Sequence, residues 1–491
     1  MLARRTLLTA AFAGLKPPPS PVLSESDEEF LGDQARRIAE STLLRPGQRS
    51  GKWVNGSGVA IRVPGGNMGY PAFWIRDAVM MLGGPLIPAT ELEGWIRLIC
   101  STIPGPGDWQ VRPGVVVPAF SIADHINFDR KPTFYPGNLE TGEKQGGPPW
   151  GKYPPIDDHY YFLLAVHEHW KLAGGAGLFK SAVKTSWDEL PLHELCERVY
   201  STPAEDPATG LCVSAVAGDA IDFGFCDTIH KSGKLLFPSL LKRLAALKMS
   251  ELSRAIGDGR RARKWASRAD RIRNAIAPTF LRSTDAREAW LHSATGTSNQ
   301  PDVWGTAYAV WSGAVGGRAA DRLARSLVRA FREATAVREG CVRHILTSDR
   351  RNGGGWEGSA RIGVYQNGGY WGTPVGWYVA AMARVDPKAA AQMGAAYVRF
   401  LRAHMGTGGT TEAWEWFNPD TGANANPLYA ATVVLPWLSL RQAGLLRQAD
   451  RAVGAARALD VEGSGAGSVD TSAATAVSSA ASSFARTGFD R

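Results

Sequence analysis

The chain has 491 residues, 44% of them hydrophobic and 21% charged, and a formal net charge of +9 from 55 basic and 46 acidic residues. These proportions belong to a globular protein with a sizeable core and exclude a disordered or collagen-like chain. No apolar run reaches about eighteen residues, so no membrane-spanning helix is expected. The basic residues are dispersed apart from "GRRARKWASRADRIR" (259–273), which reads as the solvated face of a helix and not as a nucleic-acid stripe.

The N-terminus "MLARRTLLTAAFAGL" sets paired arginines before a short apolar stretch containing Ala11-Phe12-Ala13, a small-x-small cleavage pattern, and "KPPPSP" follows as a linker. Residues 1–20 therefore read as an export signal of the twin-arginine type, with a periplasmic or secreted location. An unprocessed cytoplasmic N-terminus is the alternative. Five cysteines without C-x-x-C spacing imply neither a zinc site nor a disulfide framework, although an exported chain has room for one bridge among Cys196, Cys212 and Cys226. No cofactor and no metal are called for, and the chain reads as a monomer.

Apolar residues recurring at three and four positions predict about twelve helices between Ser26 and Leu440: 26–44, 70–83, 88–103, 156–173, 178–200, 235–257, 260–280, 301–316, 318–335, 374–386, 388–404 and 427–441. Odd members such as "RAADRLARSLVRAFREA" are amphipathic. Even members such as "DVWGTAYAVWSGAV" and "PLYAATVVLPWLSL" are apolar or small on nearly every side and must be covered on every side. Two concentric rings satisfy this, the even helices inside and the odd ones outside. The expected fold is an all-α (α/α)6 toroid over 21–445, with minor β content. The long loops before the even helices would gather on one face. Separate helical domains are the alternative. The tail 446–491 is rich in Ala, Ser and Gly and reads as disordered.

The even-helix entrances share a chemistry. "YPAFWIRDAV" supplies Trp74, Arg76 and Asp77; "PPIDDHYY" supplies Asp157, Asp158 and His159; "GDAIDFGFCDTIHKSGK" supplies Asp219, Asp222 and Asp227. "NQPDVWGTAY" has Asp302 and Trp304; "YQNGGYWGTPVGW" has Gln366, Tyr370 and Trp371; "TTEAWEWFNPDTG" has Glu412 and Glu415 ahead of a Pro-Asp-Thr-Gly turn. Any one of these carboxylates is explicable as a helix cap. Six entrances together fit a sugar site, where carboxylates and amides bind hydroxyls and indoles stack on the ring, better than a phosphate site with its Gly-rich cradle.

Cleaving a glycosidic bond takes one protonated carboxyl for the leaving oxygen and one ionised carboxylate for water or carbon. The sixth and twelfth entrances lie half a circuit apart. Asp222, in the apolar setting of Ile221, Phe223 and Phe225, is the expected acid, and Glu415 the expected base. Asp227 or Asp219 and Glu412 are the runners-up. The expected sugar contacts are Trp74, Arg76, Asp77, Asp227, Trp304, Gln366, Tyr370, Trp371 and Glu412.

"EWFNPDTG" resembles the E-x-Y/F-N-x-x-T-G element of glycoside hydrolase family 63, the processing α-glucosidases and their bacterial relatives. "GGYWGTPVGWYVAA" is similar to that family's Y-W-R-G-P-V-W segment, and "FWIRDAVM" to the first inner-helix segment of related six-hairpin enzymes. The resemblance implies an inverting (α/α)6 glucosidase with Glu415 as base. It points to the Asp of "AIDFGF", Asp222, as acid, while Gly372 and Thr373 replace the family's Arg and Gly. The expectation is a hydrolase acting on a terminal glucose-like unit of an oligosaccharide or glycoside. A sugar lyase or epimerase using His159, His230 or Tyr365 is one alternative, and a non-catalytic carbohydrate-binding protein another.

Overall fold

The computed structural model describes residues 20–135, 145, 151–283 and 288–447. The expected export signal and tail lie outside these residues, save Ser20, Leu446 and Arg447. Thirteen helices are present among the described residues: α1 (Glu25–Ser41), α2 (Ile75–Met80), α3 (Ala89–Cys100), α4 (Asp157–Ala173), α5 (Gly177–Lys180), α6 (Leu192–Ser201), α7 (Leu236–Ala255), α8 (Gly259–Phe280), α9 (Val303–Trp311), α10 (Gly317–Arg332), α11 (Val375–Ala383), α12 (Pro387–Ala403) and α13 (Ala430–Gln442).

Their contacts close a ring. Helix α2 packs on α4, α4 on α7, α7 on α9, α9 on α11, α11 on α13, and α13 returns to α2. These are the even helices of the sequence, and α9, α11 and α13 are buried along nearly all their lengths. Around them lie α1 against α12 and α13, α3 and α6 against α4, α8 against α7, and α10 against α9 and α11. Outer helices bury one stripe only: α8 turns Ala262, Trp265, Ala269, Ile272 and Ile276 inward and its arginines outward. The fold is the expected mostly helical (α/α)6 toroid with small sheets. Three of the outer helices start on side-chain caps, Ser24 for α1, Asp258 for α8 and Asp386 for α12, each accepting from a backbone N–H three residues on.

The fifth helix differs from expectation. In place of 178–200 there are two helices separated by a hairpin pairing Ala182–Lys184 with Glu189–Pro191. Thr185 Oγ1 accepts from Asp188 N at 2.9 Å and donates to Asp188 O at 2.7 Å, fixing a turn that competes with helix. Helix α2 is also shorter than 70–83, because Phe73–Trp74 is drawn into a sheet with His125–Ile126 and Pro132–Thr133. Trp74 is thus placed by a strand. Another antiparallel sheet of short strands runs from Val337–Arg338 through Cys341–Arg343, Tyr370–Trp371 and Trp416–Phe417 to Asn424–Ala425. It ties the loop before α11 to the loop before α13. All five cysteines are buried free thiols.

The inner helices come close enough that small residues are required at their contacts. A Cβ on Gly376 of α11 would lie 2.6 Å from Ser439 Cβ and 2.8 Å from Pro436 O of α13. Alanine normally favours a helix over glycine by about 1 kcal/mol. Here the overlap with backbone outweighs that gain, and Gly376→Ala is expected to destabilise the protein by about 1–3 kcal/mol, read as a lower midpoint in urea unfolding.

Candidate active site

Helix α2 carries Arg76 and Asp77 into the ring. Arg76 is 2% exposed and lies among three carboxylates, all buried. Its Nε donates to Asp157 Oδ2 at 2.6 Å, and its Nη2 donates to Asp158 Oδ2 at 2.8 Å and to Asp124 Oδ1 at 3.2 Å. Asp124 Oδ2 meets His125 Nδ1 at 2.8 Å, and the His125 ring stacks on Trp74 with centroids 4.2 Å apart. One cation among three buried carboxylates leaves an excess of negative charge. Burial pushes Asp158 well above the usual carboxylate range and Asp157 above it as well, with Arg76 opposing both shifts.

Glu415 stands in a loop with strained backbone on both sides: Ala413, Asn426 and Leu428 all have positive φ. Tyr70 Oη donates to Glu415 Oε2 at 2.9 Å and Asn426 Nδ2 to the same oxygen at 2.6 Å. Burial pushes this carboxyl up to about 8; the two donors pull it down, and the charges of Asp77 and Asp227 raise it again. Asp227 is 8% exposed, with its Oδ1 accepting from Gln366 Nε2, which is itself positioned by Thr228. Burial lifts Asp227 to about 7, with Gln366 and Arg76 acting against the shift and Asp124 adding to it. Asp77 accepts from Tyr429 Oη, and burial lifts it to about 6. Tyr365, half-buried at φ 51°, feels Asp227, Glu415 and Asp77, and burial raises its hydroxyl well above the usual phenol range.

The structure thus brings together Trp74, Arg76, Asp77, Asp227, Gln366 and Glu415. Among the described residues, Arg76 Nη1 donates no hydrogen bond, and Asp77 Oδ2, Asp227 Oδ2 and Glu415 Oε1 accept none from another residue. None of these four is among the sealed, unpartnered polar atoms of the interior. They are the groups left to meet a ligand.

Most of the other expected site residues are engaged within the protein. Asp222 is locked to Lys231 Nζ at 2.9 Å, both 2% exposed, and its other oxygen accepts from Phe223 N. Asp302 caps α9 through Gly305 N at 2.7 Å. Trp304 is fully buried and stacks on His344 at 3.7 Å. Trp371 is fully buried, its Nε1 donating to Tyr365 O at 3.3 Å; Tyr370 packs on Phe417. Glu412 is exposed, and half-buried Asp219 pairs with Lys152 at 3.2 Å. His159 accepts from Ile122 N, and burial holds it near 4; His230 lies against Gly218. Sequence reasoning passed over Tyr70, Asn426, Tyr429 and the Asp124–His125 pair. Tyr70 stands four residues before Trp74 in a stretch already singled out, whereas Asp124 and His125 lie mid-loop with no local signal.

Scanning protein-family models and searching curated proteins each gave no match. The search of solved structures did. An α-mannosidase from Streptococcus pneumoniae, described as metal-independent and solved with α-1,6-mannobiose, aligns at 13% identity and TM-score 0.51 over 86% of this chain and 96% of its own. The glucoamylase of Hormoconis resinae aligns at 15% and 0.52 over 85% and 74%. The family 15 glucoamylase of Hypocrea jecorina aligns at 11% and 0.54 over 86% and 73%. At these identities the likeness is one of fold: the chain has the (α/α)6 architecture of six-hairpin glycosidases.

Carboxyls held above their ordinary values bind more protons folded than unfolded from about pH 4 upward, so their protonated forms stabilise the fold at low pH and that stability is lost as pH rises through the folded values. For Asp227 and Glu415 the loss falls between about pH 5 and the region of 7 to 8. Glu415→Gln is therefore expected to raise the melting temperature at pH 8.5 by roughly 2–4 °C and to change it little at pH 4.5, measured by calorimetry at both values.

Proposed function

We propose that the protein is an inverting glycoside hydrolase that removes a terminal, glucose-like residue, with Asp227 as general acid and Glu415 as general base. One observation carries this reading: two buried carboxyls, from the entrances to α7 and α13, each lifted into the neutral range, with the charge of Asp227 acting on Glu415. The fold shared with glycosidases supports it. Asp227 takes the role first expected of Asp222 because Asp222 is neutralised by Lys231 and held there, whereas Asp227 keeps one oxygen open.

The donors around the pair favour this assignment. With its two donors already acting, Glu415 still sits near 8 against near 7 for Asp227, but Tyr70 and Asn426 both aim hydrogens at Oε2, and two donors are satisfied together by the anion. Asp227 faces a single amide. Bound substrate would exclude water and let these donors decide which carboxyl keeps the proton the pair shares. In the reaction Asp227 gives its proton to the leaving oxygen while Glu415 Oε1 takes one from a water that attacks the anomeric carbon from the opposite side. Arg76 Nη1 and Asp77 Oδ2 bind hydroxyls, and Trp74 forms an apolar wall. Tyr365 is a poor base with its hydroxyl raised so far, which disfavours the lyase reading.

The test is a panel of α- and β-linked glucosides, mannosides and rhamnosides, with proton NMR following the first anomer released. Inversion is expected. With the substrate found, Asp227→Asn should lose about 10²–10⁴-fold on alkyl glycosides or disaccharides while keeping most activity on dinitrophenyl glycosides, whose leaving group needs no proton. Glu415→Gln should lose activity on both. The opposite pattern would exchange the two roles, and retention of configuration would overturn the mechanism.

A further inference from the structure

We propose that Arg76 and Asp157 act as a clamp on the turn Gly224–Cys226, and that this clamp, for which residue 224 must be glycine, aims the carboxyl of Asp227. The proposal rests on the reading of Asp227 as proton donor, but its geometry stands by itself.

Asp157 Oδ2 accepts two hydrogens, from Arg76 Nε at 2.6 Å and from Gly224 N at 3.0 Å. A single carboxylate oxygen thus joins α2, α4 and the loop before α7. A Cβ added at 224 would fall 1.8 Å from Arg76 Cζ, 2.0 Å from Nε and 2.1 Å from Nη1. The guanidinium occupies the place that a side chain at residue 224 would take. Gly224 is not among the glycines with positive φ. Its backbone is therefore open to any L-residue, and the requirement for glycine is one of space alone.

The turn leads directly to the acid. Cys226 N donates to Phe223 O at 2.7 Å, and Asp227 is the next residue. The segment is held on both sides of the turn: ahead of it Phe223 stacks on Phe237 with centroids 4.0 Å apart, and beyond it Lys231 pairs back to Asp222, its Nζ 4.4 Å above the Trp356 ring. With its ends fixed and its middle pressed on Arg76, the segment has little freedom, and the direction of Asp227 follows from the clamp. The groups acting on Asp227 are Arg76, Asp124 and Gln366, and its own charge reaches Glu415, Tyr70 and Tyr365. Arg76 is the cation among them, so a clamp that opens withdraws positive charge from Asp227. Arg76 is in this role a positioning residue, whatever its Nη1 does for a ligand.

The test uses the full chain with Gly224→Ala, folding being checked by circular dichroism. Asp227 is followed by carbon-13 NMR of its carboxyl, assigned by loss of the signal in Asp227→Asn. Gly224→Ala is expected to move the Asp227 titration to higher pH and to lower kcat on glycosides with poor leaving groups by about 10²-fold, with KM little changed and dinitrophenyl glycosides largely spared. An unchanged Asp227 titration with kcat falling equally for both leaving groups, or not at all, would make Gly224 a packing residue and overturn the proposal. Should Gly224→Ala fail to fold, Asp157→Asn, which keeps shape and removes the charge that holds Arg76, is read by the same two measurements. Should the wild type cleave no glycoside, the functional reading fails, and the NMR titration still decides the clamp.

Discussion

The architecture depends on one charge arrangement: a guanidinium sealed between three carboxylates where water cannot screen them. In such a place an unpaired ion costs several kcal/mol, and a paired one is held by close geometry and further hydrogen bonds. Arg76 meets Asp157, Asp158 and Asp124, and Asp124 in turn meets His125. These residues come from α2, from α4 and from the segment between α3 and α4. None has a reason to be buried without the others, so the network fixes the relative placement of its elements more strictly than apolar packing would. Apolar contacts tolerate sliding; a forked donor among fixed acceptors does not.

That strictness is spent at the mouth of the ring. The inner helices α9, α11 and α13 are apolar on nearly every side, and the polar side chains of the candidate site come from the N-terminal entrances of the inner ring. The same crowding that removes water from Arg76 removes it from Asp77, Asp227 and Glu415, and all three carboxyls are lifted, to about 6, 7 and 8. Desolvation is the largest cause for each. Opposing it are the charge of Arg76 and then Tyr429 at Asp77, Gln366 and then Arg76 at Asp227, and Asn426 with Tyr70 at Glu415. A common environment thus supplies carboxyls able to hold a proton near neutrality, each tempered by its own partners.

What the sequence made legible follows from the range of the forces involved. The alternation of wrapped and wrapping helices is a local pattern, and it yields the closed inner ring. Glu415 stood out for the same reason, between two indoles ahead of a turn. The choice between Asp222 and Asp227 was not local in that sense, since both lie in one acidic stretch. They are separated by Lys231, whose single cation pairs with Asp222 and leaves Asp227 to Gln366, a residue 139 positions further on. The buried partners of Arg76 were not legible, because Asp124 and Asp157 are 48 and 81 residues away. Trp304 looked like a sugar platform because an indole's type says nothing about what covers it, and in the fold His344 does. The split of the fifth helix turned on a threonine hydroxyl competing with a helical pattern, which periodicity cannot register.

Four of the eleven side-chain-bearing residues with positive φ among the described residues lie around Glu415. Ala413, Asn426 and Leu428 surround Glu415 in positive φ, and Tyr365 faces the same carboxyls at φ 51°. Such conformations cost about 1–3 kcal/mol each for side-chain-bearing residues and persist only where surrounding structure over-determines them. The determinants are visible. The hairpin pairing Trp416–Phe417 with Asn424–Ala425 holds Asn426 so that its amide reaches Glu415, and Tyr365 O accepts from both Gly369 N and Trp371 Nε1. A relaxed loop would turn Asn426 away and leave the Glu415 carboxyl with Tyr70 alone. The strain is therefore tied to one outcome, two donors on a single oxygen of Glu415, and a loop selected only for stability would have no cause to retain it.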